Sequence, residues 1–170
     1  AFLTEDRKGQ GLVLAQSIRT NLILANMKGF STGLFLNEKK IEDVGQNNIA
    51  SLRIKTPSID EIVGQLSGGN QQKVVIGKWV NTDADIFIFD EPTRGIDVGA
   101  KVEVYNVMNS LVKQGKCVIM VSSEMPEILG MSDRVIVMRG GEVMAEVDRD
   151  SEHFNQEDLM KAAWGGKLDD

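Results

Sequence analysis

The chain of 170 residues has 42% hydrophobic and 26% charged residues, a formal net charge of -6 and an isoelectric point of about 4.9. This composition is typical of a globular domain of ordinary size. The acidic balance argues against nucleic acid as the main partner, because phosphate backbones select basic surfaces. No apolar run approaches the roughly 20 residues that a membrane-spanning helix needs, and no signal peptide is recognisable.

The first half of the chain is predicted to be mostly helical. Residues 1–3 read as the end of a strand, and the polar segment "TEDRKGQG" follows as a loop. In the remainder of this half, apolar residues recur at helical spacing. The segment "KTPS" interrupts the helical pattern, because proline disfavours helix in the residue before it. The predicted helices of this half are residues 17–24, 37–52 and 71–80.

Strands and helices alternate in the second half. In chain order we predict strand 85–89, helix 99–114, strand 117–122, helix 125–130 and strand 134–138. This alternation predicts an α/β fold, with a mainly parallel sheet, crossover helices and a helical subdomain. "RGG" at 139–141 predicts a hairpin, and Asn155 is placed to cap a final helix. We expect two domains, residues 1–80 and 81–170.

Two single residues bear on the class of protein. The only cysteine, Cys117, cannot form an internal disulfide. It begins the apolar run "CVIMVSS" and is predicted to be a buried core thiol. The only histidine, His153, has no cysteine or histidine neighbour and is predicted to be a surface residue. The chain begins with Ala1 inside the apolar "AFL", so we expect it to be a piece of a longer protein.

The segment "LSGGNQQK" at 66–73 places a serine and two glycines before a predicted helix. Ser67 is a good N-cap residue, and glycines allow a ligand to approach the backbone closely. Free amides at a helix N-terminus favour anions. Taken alone, the segment fits a capped flexible turn better than a binding site.

The segment "DIFIFDE" at 85–91 ends an apolar strand with two carboxylates. Ligands bind at the carboxyl ends of strands in open α/β sheets. Asp90 could bind magnesium through water, and Glu91 could orient or deprotonate an attacking water. Taken alone, a solvated acidic turn explains the pattern equally well. A phosphate-binding loop of the form G-x-x-x-x-G-K-S/T does not occur in these residues.

The order of the motifs decides between these readings. "LSGGNQQK" resembles the signature of an ATP-binding cassette (ABC), "FIFDEP" resembles its Walker B strand, and "RGID" resembles its D-loop, here Gly95, Ile96 and Asp97. Over most of its length the chain is similar to the second cassette of bacterial ribose, galactose and xylose importers. This finer likeness lies in "TEDRKGQGLVLAQSIRTN", "DEPTRGIDVGAK" and "SSEMPEILGMSDRVIVM".

The resemblance implies a P-loop NTPase-type cassette that binds ATP and Mg²⁺ and closes head to tail on a second cassette. The signature residues would hold the γ-phosphate of an ATP whose Walker A loop belongs to that partner. They are Ser67, Gly68, Gly69, Asn70 and Gln71. The ATP served by Asp90 and Glu91 would need a Walker A loop of this same cassette, expected upstream of Ala1.

The sequence departs from the general cassette at two places. Glu5 stands where a glutamine usually senses magnesium and the membrane subunit, and a carboxylate binds a cation but cannot donate a hydrogen bond. Ser123 stands where many cassettes have a histidine at the γ-phosphate, and a hydroxyl cannot become cationic. We therefore expect this half's own ATP site to be slow or mainly structural, while its signature serves a faster site on the first cassette.

The implied protein is the ATPase of a sugar importer, peripheral on the cytoplasmic face of the inner membrane. Its implied partners are the second cassette, a multi-span permease and, indirectly, a sugar-binding protein. Exposed residues between 6 and 32 are candidates for the permease contact, and a plain packing face explains that amphipathic region equally well. One alternative is a non-catalytic module that donates the signature and docks to the permease. Another is a soluble ABC ATPase of DNA repair or translation, which the acidic balance and the absence of a coiled-coil insertion disfavour.

Overall fold

The computed structural model describes residues 1–168. Contacts divide the chain into two compact units, Ala1–Val121 and Ser122–Asp170. None of the helices within the described residues is long and apolar enough to cross a bilayer.

The first unit combines a small parallel sheet with four helices. In chain order its main elements are β1 (Phe2–Leu3), α1 (Ile18–Ile23), β2 (Ser31–Thr32), β3 (Phe35–Leu36), α2 (Glu38–Ser51), α3 (Gly68–Val80), β4 (Ile86–Asp90), α4 (Val98–Lys113) and β5 (Cys117–Val121). Three short helical turns lie between them, at Arg7–Gly11, Met27–Phe30 and Val63–Gln65. The predicted α/β order is confirmed, and α3 begins three residues earlier than predicted.

The sheet of the first unit has the strand order β1-β4-β5, and all of its pairings are parallel. Leu3 pairs with Phe89, and Asp90 pairs with Val121. The carboxyl ends of the three strands therefore meet at one edge of the sheet. Leu3 and Phe89 are almost completely buried, so this edge rests on a packed core.

The prediction that Cys117 is a buried thiol is wrong. Cys117 is exposed, and so are Ile119 and Val121 on the same side of β5. Alternate residues of a strand point to opposite faces of the sheet, and Val118 and Met120 on the other face are half-buried. The apolar sequence of β5 would allow burial on both faces of the strand. Within the described residues, other side chains cover only the face of Val118 and Met120.

Helix α3 is buried along most of its length, although it is rich in polar residues. Lys73 donates from Nζ to the carbonyl of Arg53 at 2.7 Å and also pairs with Glu103. Lys78 donates from Nζ to the carbonyl of Gly11 at 2.5 Å, and burial lowers the pKa of this amine. Buried amines with such partners avoid most of the desolvation cost, so they fix α3 against the neighbouring loops.

The second unit is an antiparallel hairpin packed with two helices. Its elements are α5 (Met125–Met131), β6 (Arg134–Arg139), β7 (Glu142–Asp148) and α6 (Gln156–Ala163). Gly140 and Gly141 form the two-residue turn, and both have positive φ, as a type I′ turn requires. Asn155 Oδ1 accepts from the amide of Asp158 at 3.0 Å. The predicted hairpin and helix cap are both confirmed.

His153 also lies in the second unit. Its side chain is about three-quarters buried, and its Nδ1 lies 2.9 Å from an oxygen of Asp158. The histidine is therefore partly exposed, and its ring contacts Asp158 at the start of α6.

Two valines on α4 test the assignment of its buried face. Val104 is 1% exposed and Val102 is 52% exposed. We expect Val104→Ala to lower the free energy of unfolding by about 2 kcal/mol, from the lost burial of apolar surface. Val102→Ala should change it by about 0.5 kcal/mol or less. Urea unfolding of the two variants measures both values, and equal losses would contradict the assigned face.

Helices α3 and α4 approach most closely where Gly69 faces Ala100. A Cβ added at Gly69 would lie 2.8 Å from the Cβ of Ala100, which is closer than two carbons can pack. We expect Gly69→Ala to cost about 1–3 kcal/mol of stability, because both helices must shift. The control is Gly130→Ala in α5, where an added Cβ meets no atom within 4 Å. In thermal unfolding only the Gly69 variant should be destabilised, and an unaffected Gly69 variant would refute the close packing.

Candidate functional site

Asp90 and Glu91 lie at the carboxyl edge of the sheet, as the sequence predicts. Asp90 is the last residue of β4 and pairs with Val121 of β5. The amide of Glu91 continues this ladder and donates to the carbonyl of Val121 at 2.9 Å. Both residues are half-buried. Within residues 1–168 neither carboxylate makes a hydrogen bond or an ion pair, so both are available to a ligand.

The backbone at Glu91 adopts a left-handed conformation, with φ of 47°. A glutamate rarely occupies this region, because its Cβ crowds the neighbouring carbonyl oxygen. The carbonyl of Glu91 accepts from the amide of Arg94 at 3.1 Å, which closes a turn directly after the strand. Strained residues of this kind cluster at functional sites. The strain and the unpaired carboxylate therefore coincide at one residue.

The loop after β1 reaches the turn that follows β4. The carboxylate of Glu5 pairs with the guanidinium of Arg94. Arg7 donates from Nη1 to the carbonyl of Arg94 at 3.0 Å and from Nη2 to the carbonyl of Gly95 at 3.4 Å. Glu5, predicted as a metal ligand, is thus already neutralised by a cation, and its metal role stays a prediction. Within the described residues no group of three or more His, Cys, Asp or Glu side chains could hold a metal ion.

The start of α3 exposes the side chain of Ser67 and buries the carboxamide side chains of Asn70 and Gln71. Ser67 is exposed and precedes the helix, as predicted, but its side chain caps no helix amide. Its Oγ instead accepts from Nδ2 of Asn70 at 3.0 Å, which leaves the hydroxyl hydrogen for another acceptor. Asn70 Oδ1 accepts from the amide of Lys55 at 2.9 Å, and Gln71 Nε2 donates to the carbonyl of Val63 at 3.2 Å.

The predicted nucleotide-binding roles of these signature residues stay predictions, and the geometry separates them into two kinds. Asn70 and Gln71 are 8% and 4% exposed, so their side chains hold the helix start in place. Ser67 and Gly68 are the accessible groups. The unpaired first amides of a helix are donors for an anion.

The signature and D-loop segments meet in the first unit. A Cβ added at Gly68 would lie 2.7 Å from Nη2 of Arg7 and 3.3 Å from the carbonyl of Gly95. Asp97 Oδ1 accepts from the amide of Ala100 at 3.0 Å and so caps α4. Gly95 has φ of 68°, which suits a glycine. Gly95, Ile96 and Asp97 therefore form a tight link between β4 and α4 beside the start of α3.

Ser123 belongs to the second unit, where it is exposed. Its neighbour Ser122 makes the local contacts, since its hydroxyl donates to the carboxylate of Glu127 and accepts from the amide of Glu124 at 3.0 Å. The predicted catalytic role of Ser123 stays a prediction.

Sequence reasoning missed Arg7 and Arg94. Their contacts join positions 87 to 89 residues apart, and no local pattern marks such pairs. The available signal was an arginine in each of the two loops that leave the same sheet edge, in "DRK" and in "TRG".

Comparisons with known proteins agree with the motifs. The family model described as ABC transporter matches residues 8–94. The chain is 52% identical over 166 residues to the ribose import ATP-binding protein RbsA of Oceanobacillus iheyensis. It is 50% identical over 167 residues to the xylose import ATP-binding protein XylG of Thermoanaerobacter pseudethanolicus. Each match covers 98% of this chain and 33% of the relative, so the chain spans about a third of these proteins.

Solved structures support the same fold. The dimeric structure of MJ0796, a bacterial ABC transporter cassette, matches with a TM-score of 0.73 at 20% identity, over 88% of this chain and 62% of that one. MJ1267, an ATP-binding cassette of an ABC transporter, matches with a TM-score of 0.71 at 19% identity, over 96% of this chain and 65% of that one. The motifs, the family match over half of the chain and the architecture agree, and the chain belongs to the ABC transporter family.

Proposed function

We propose that the chain is part of the ATP-binding and hydrolysing subunit of a sugar importer, within its second cassette. The observation that carries the proposal is the pair of unpaired carboxylates at the end of β4, with Glu91 held in a strained backbone conformation. The names of the relatives, which are ribose and xylose import ATP-binding proteins, support the substrate class.

The two carboxylates have different roles in this proposal. Asp90 is anchored in the β4 ladder and would hold magnesium through water, as a hard oxygen ligand. Bound magnesium supplies positive charge beside the phosphate oxygens. The carboxylate of Glu91, which makes no hydrogen bond or ion pair within residues 1–168, would orient the attacking water and accept its proton. Glu5 would join as a cation ligand only when its ion pair with Arg94 opens.

The start of α3 would act on an ATP bound by the first cassette. The accessible Ser67 hydroxyl and the amide of Gly68 would donate to its γ-phosphate, since free donors at a helix N-terminus favour anions. Asn70 and Gln71 would act by holding the helix start, through their bonds to Lys55 and Val63. The D-loop, Gly95 to Asp97, lies beside the same donors and would face the same partner.

The two ATP sites of the full protein would be unequal. In the sequence, Ser123 stands where many cassettes have a histidine, and a hydroxyl, which cannot become cationic, would give a transition state less charge stabilisation. The site served by Asp90 and Glu91 would therefore be slow or mainly structural. The intact signature would serve the faster site on the first cassette.

The proposed subunit lies on the cytoplasmic face of the inner membrane and assembles with a multi-span permease. Exposed residues between 6 and 32 are the candidates for that contact. A sugar-binding protein would deliver the sugar to the permease. The acidic net charge supports protein partners over nucleic acid.

A second candidate function is a signature-donating and docking module that performs no hydrolysis. The observation that favours it is the exposed Ser67 at the start of α3, whose Oγ accepts from Asn70 and keeps its hydrogen for another acceptor. In that case Ser67 would be essential to the assembly, and Glu91 would be dispensable.

The unequal sites can be tested in the full two-cassette protein bound to its permease. We expect Ser67→Ala to lower the rate of ATP hydrolysis about tenfold or more, because a hydrogen bond to a charged group is worth about 1.5–3 kcal/mol. Glu91→Gln should lower the rate less. The exposed Ser51, at the end of α2, gives the matched control Ser51→Ala, which should leave the rate unchanged. Equal losses for Ser67→Ala and Glu91→Gln would contradict the asymmetry.

A calorimetric titration tests nucleotide binding by these 170 residues alone. We expect no binding of MgATP up to millimolar concentration, because the sequence contains no phosphate-binding loop. The Glu91→Gln variant serves as the control and should give the same result. Binding tighter than about 100 μM, or roughly -5.5 kcal/mol, would mean that these residues contain a phosphate site of another kind.

A further inference from the structure

We propose that Arg7 is a positioning residue that sets the rate of hydrolysis of the ATP bound on the partner cassette. It would do so by fixing the 94–95 backbone and the start of α3 in one arrangement. The proposal rests on the proposed function, since the signature acts on that ATP.

The first support is the pair of bonds from one guanidinium to consecutive carbonyls. Arg7 donates from Nη1 to the carbonyl of Arg94 at 3.0 Å and from Nη2 to that of Gly95 at 3.4 Å. The guanidinium is a rigid planar fork, so two bonds define the position of both acceptors relative to it. The shorter bond carries more of the attraction, and the longer one adds direction.

The second support is a link that runs the opposite way. Arg94, whose carbonyl accepts from Arg7, places its own guanidinium on the carboxylate of Glu5. Each of the two loops thus supplies an arginine to the other one. In the loop after β1, the acceptor Glu5 and the donor Arg7 lie two residues apart. We call Glu5, Arg7 and Arg94 the arginine clasp. Two links with different attachment points restrict rotation as well as separation of the loops.

The third support is the contact of the clasp with the start of α3. A Cβ added at Gly68 would lie 2.7 Å from Nη2 of Arg7 and 3.3 Å from the carbonyl of Gly95. Because Gly68 has no side chain, the guanidinium of Arg7 can occupy the space beside it. Nε of Arg7 is buried and has no hydrogen-bond partner within residues 1–168, so the guanidinium is held through its two Nη atoms. The side chain of Arg7, in the loop after β1, therefore lies beside both the D-loop and the signature.

These contacts predict an effect on the chemical step rather than on nucleotide affinity. In the proposed arrangement the first cassette provides the phosphate-binding loop for that ATP, while this chain provides donors to the γ-phosphate. A shift of those donors misaligns the transition state and leaves most of the binding contacts in place. Loss of interactions made only in the transition state lowers kcat and leaves KM unchanged.

The test measures ATP hydrolysis by the full two-cassette protein bound to its permease. We expect Arg7→Ala to lower kcat about tenfold or more, since small misplacements of catalytic groups have effects of this size. KM for ATP should stay within about twofold. Arg7→Lys should recover only part of the rate, because an ammonium cannot reproduce the planar fork. Lys113→Ala, which removes a positive charge from the exposed end of α4, is the matched control.

A swap of charges provides a second test that does not need Arg7→Ala to fold. Glu5→Arg and Arg94→Glu each break the clasp and should lower kcat, and the double variant should restore much of it. If Glu5 acts only as a metal ligand, the double variant stays as inactive as Glu5→Arg, and this would overturn the clasp.

The outcomes separate this inference from the function it rests on. An active wild type with Arg7→Ala within about twofold of it, or with KM rising as kcat falls, would overturn the role of Arg7 alone. A wild-type complex that hydrolyses no ATP would overturn the proposed function, and the inference with it.

Discussion

The parallel ladder on both sides of β4 is the constraint on which the rest of the site depends. It aligns Leu3 with Phe89 and Asp90 with Val121. Because the strands are parallel, the loop after β1 and the loop after β4 leave from the same edge of the sheet. Phe89 is fully buried, so a shift of register would expose a large aromatic side chain and misplace both carboxylates.

Helix α3 is the second element with a fixed position, because buried polar side chains bond it to its neighbours. Lys73 and Lys78 donate to loop carbonyls, and Asn70 ties the helix start to Lys55. Apolar packing alone would allow the helix to slide, since it is not directional. Directional bonds at both ends set the axial position of α3. The donors at its first turn are therefore as well placed as the carboxylates on the sheet.

The sequence predicts the elements well and the contacts between them poorly. Periodicity and turn residues predict β4, α4 and the "RGG" hairpin, because these depend on neighbours in the chain. The thiol of Cys117 was misassigned, because burial depends on what covers a strand. The start of α3 at Gly68 turns Asn70 and Gln71 inward, and this follows from packing against Lys55 and Val63.

The left-handed backbone of Glu91 has a consequence for how this position can evolve. Glycine or asparagine would suit a φ of 47° better than glutamate does, by about 1–2 kcal/mol in the case of glycine. Selection for stability alone would therefore favour glycine, whereas the proposed role of the carboxylate would favour glutamate. If Glu91 acts as proposed, its replacement by glycine in a related cassette would gain stability and lose the acid.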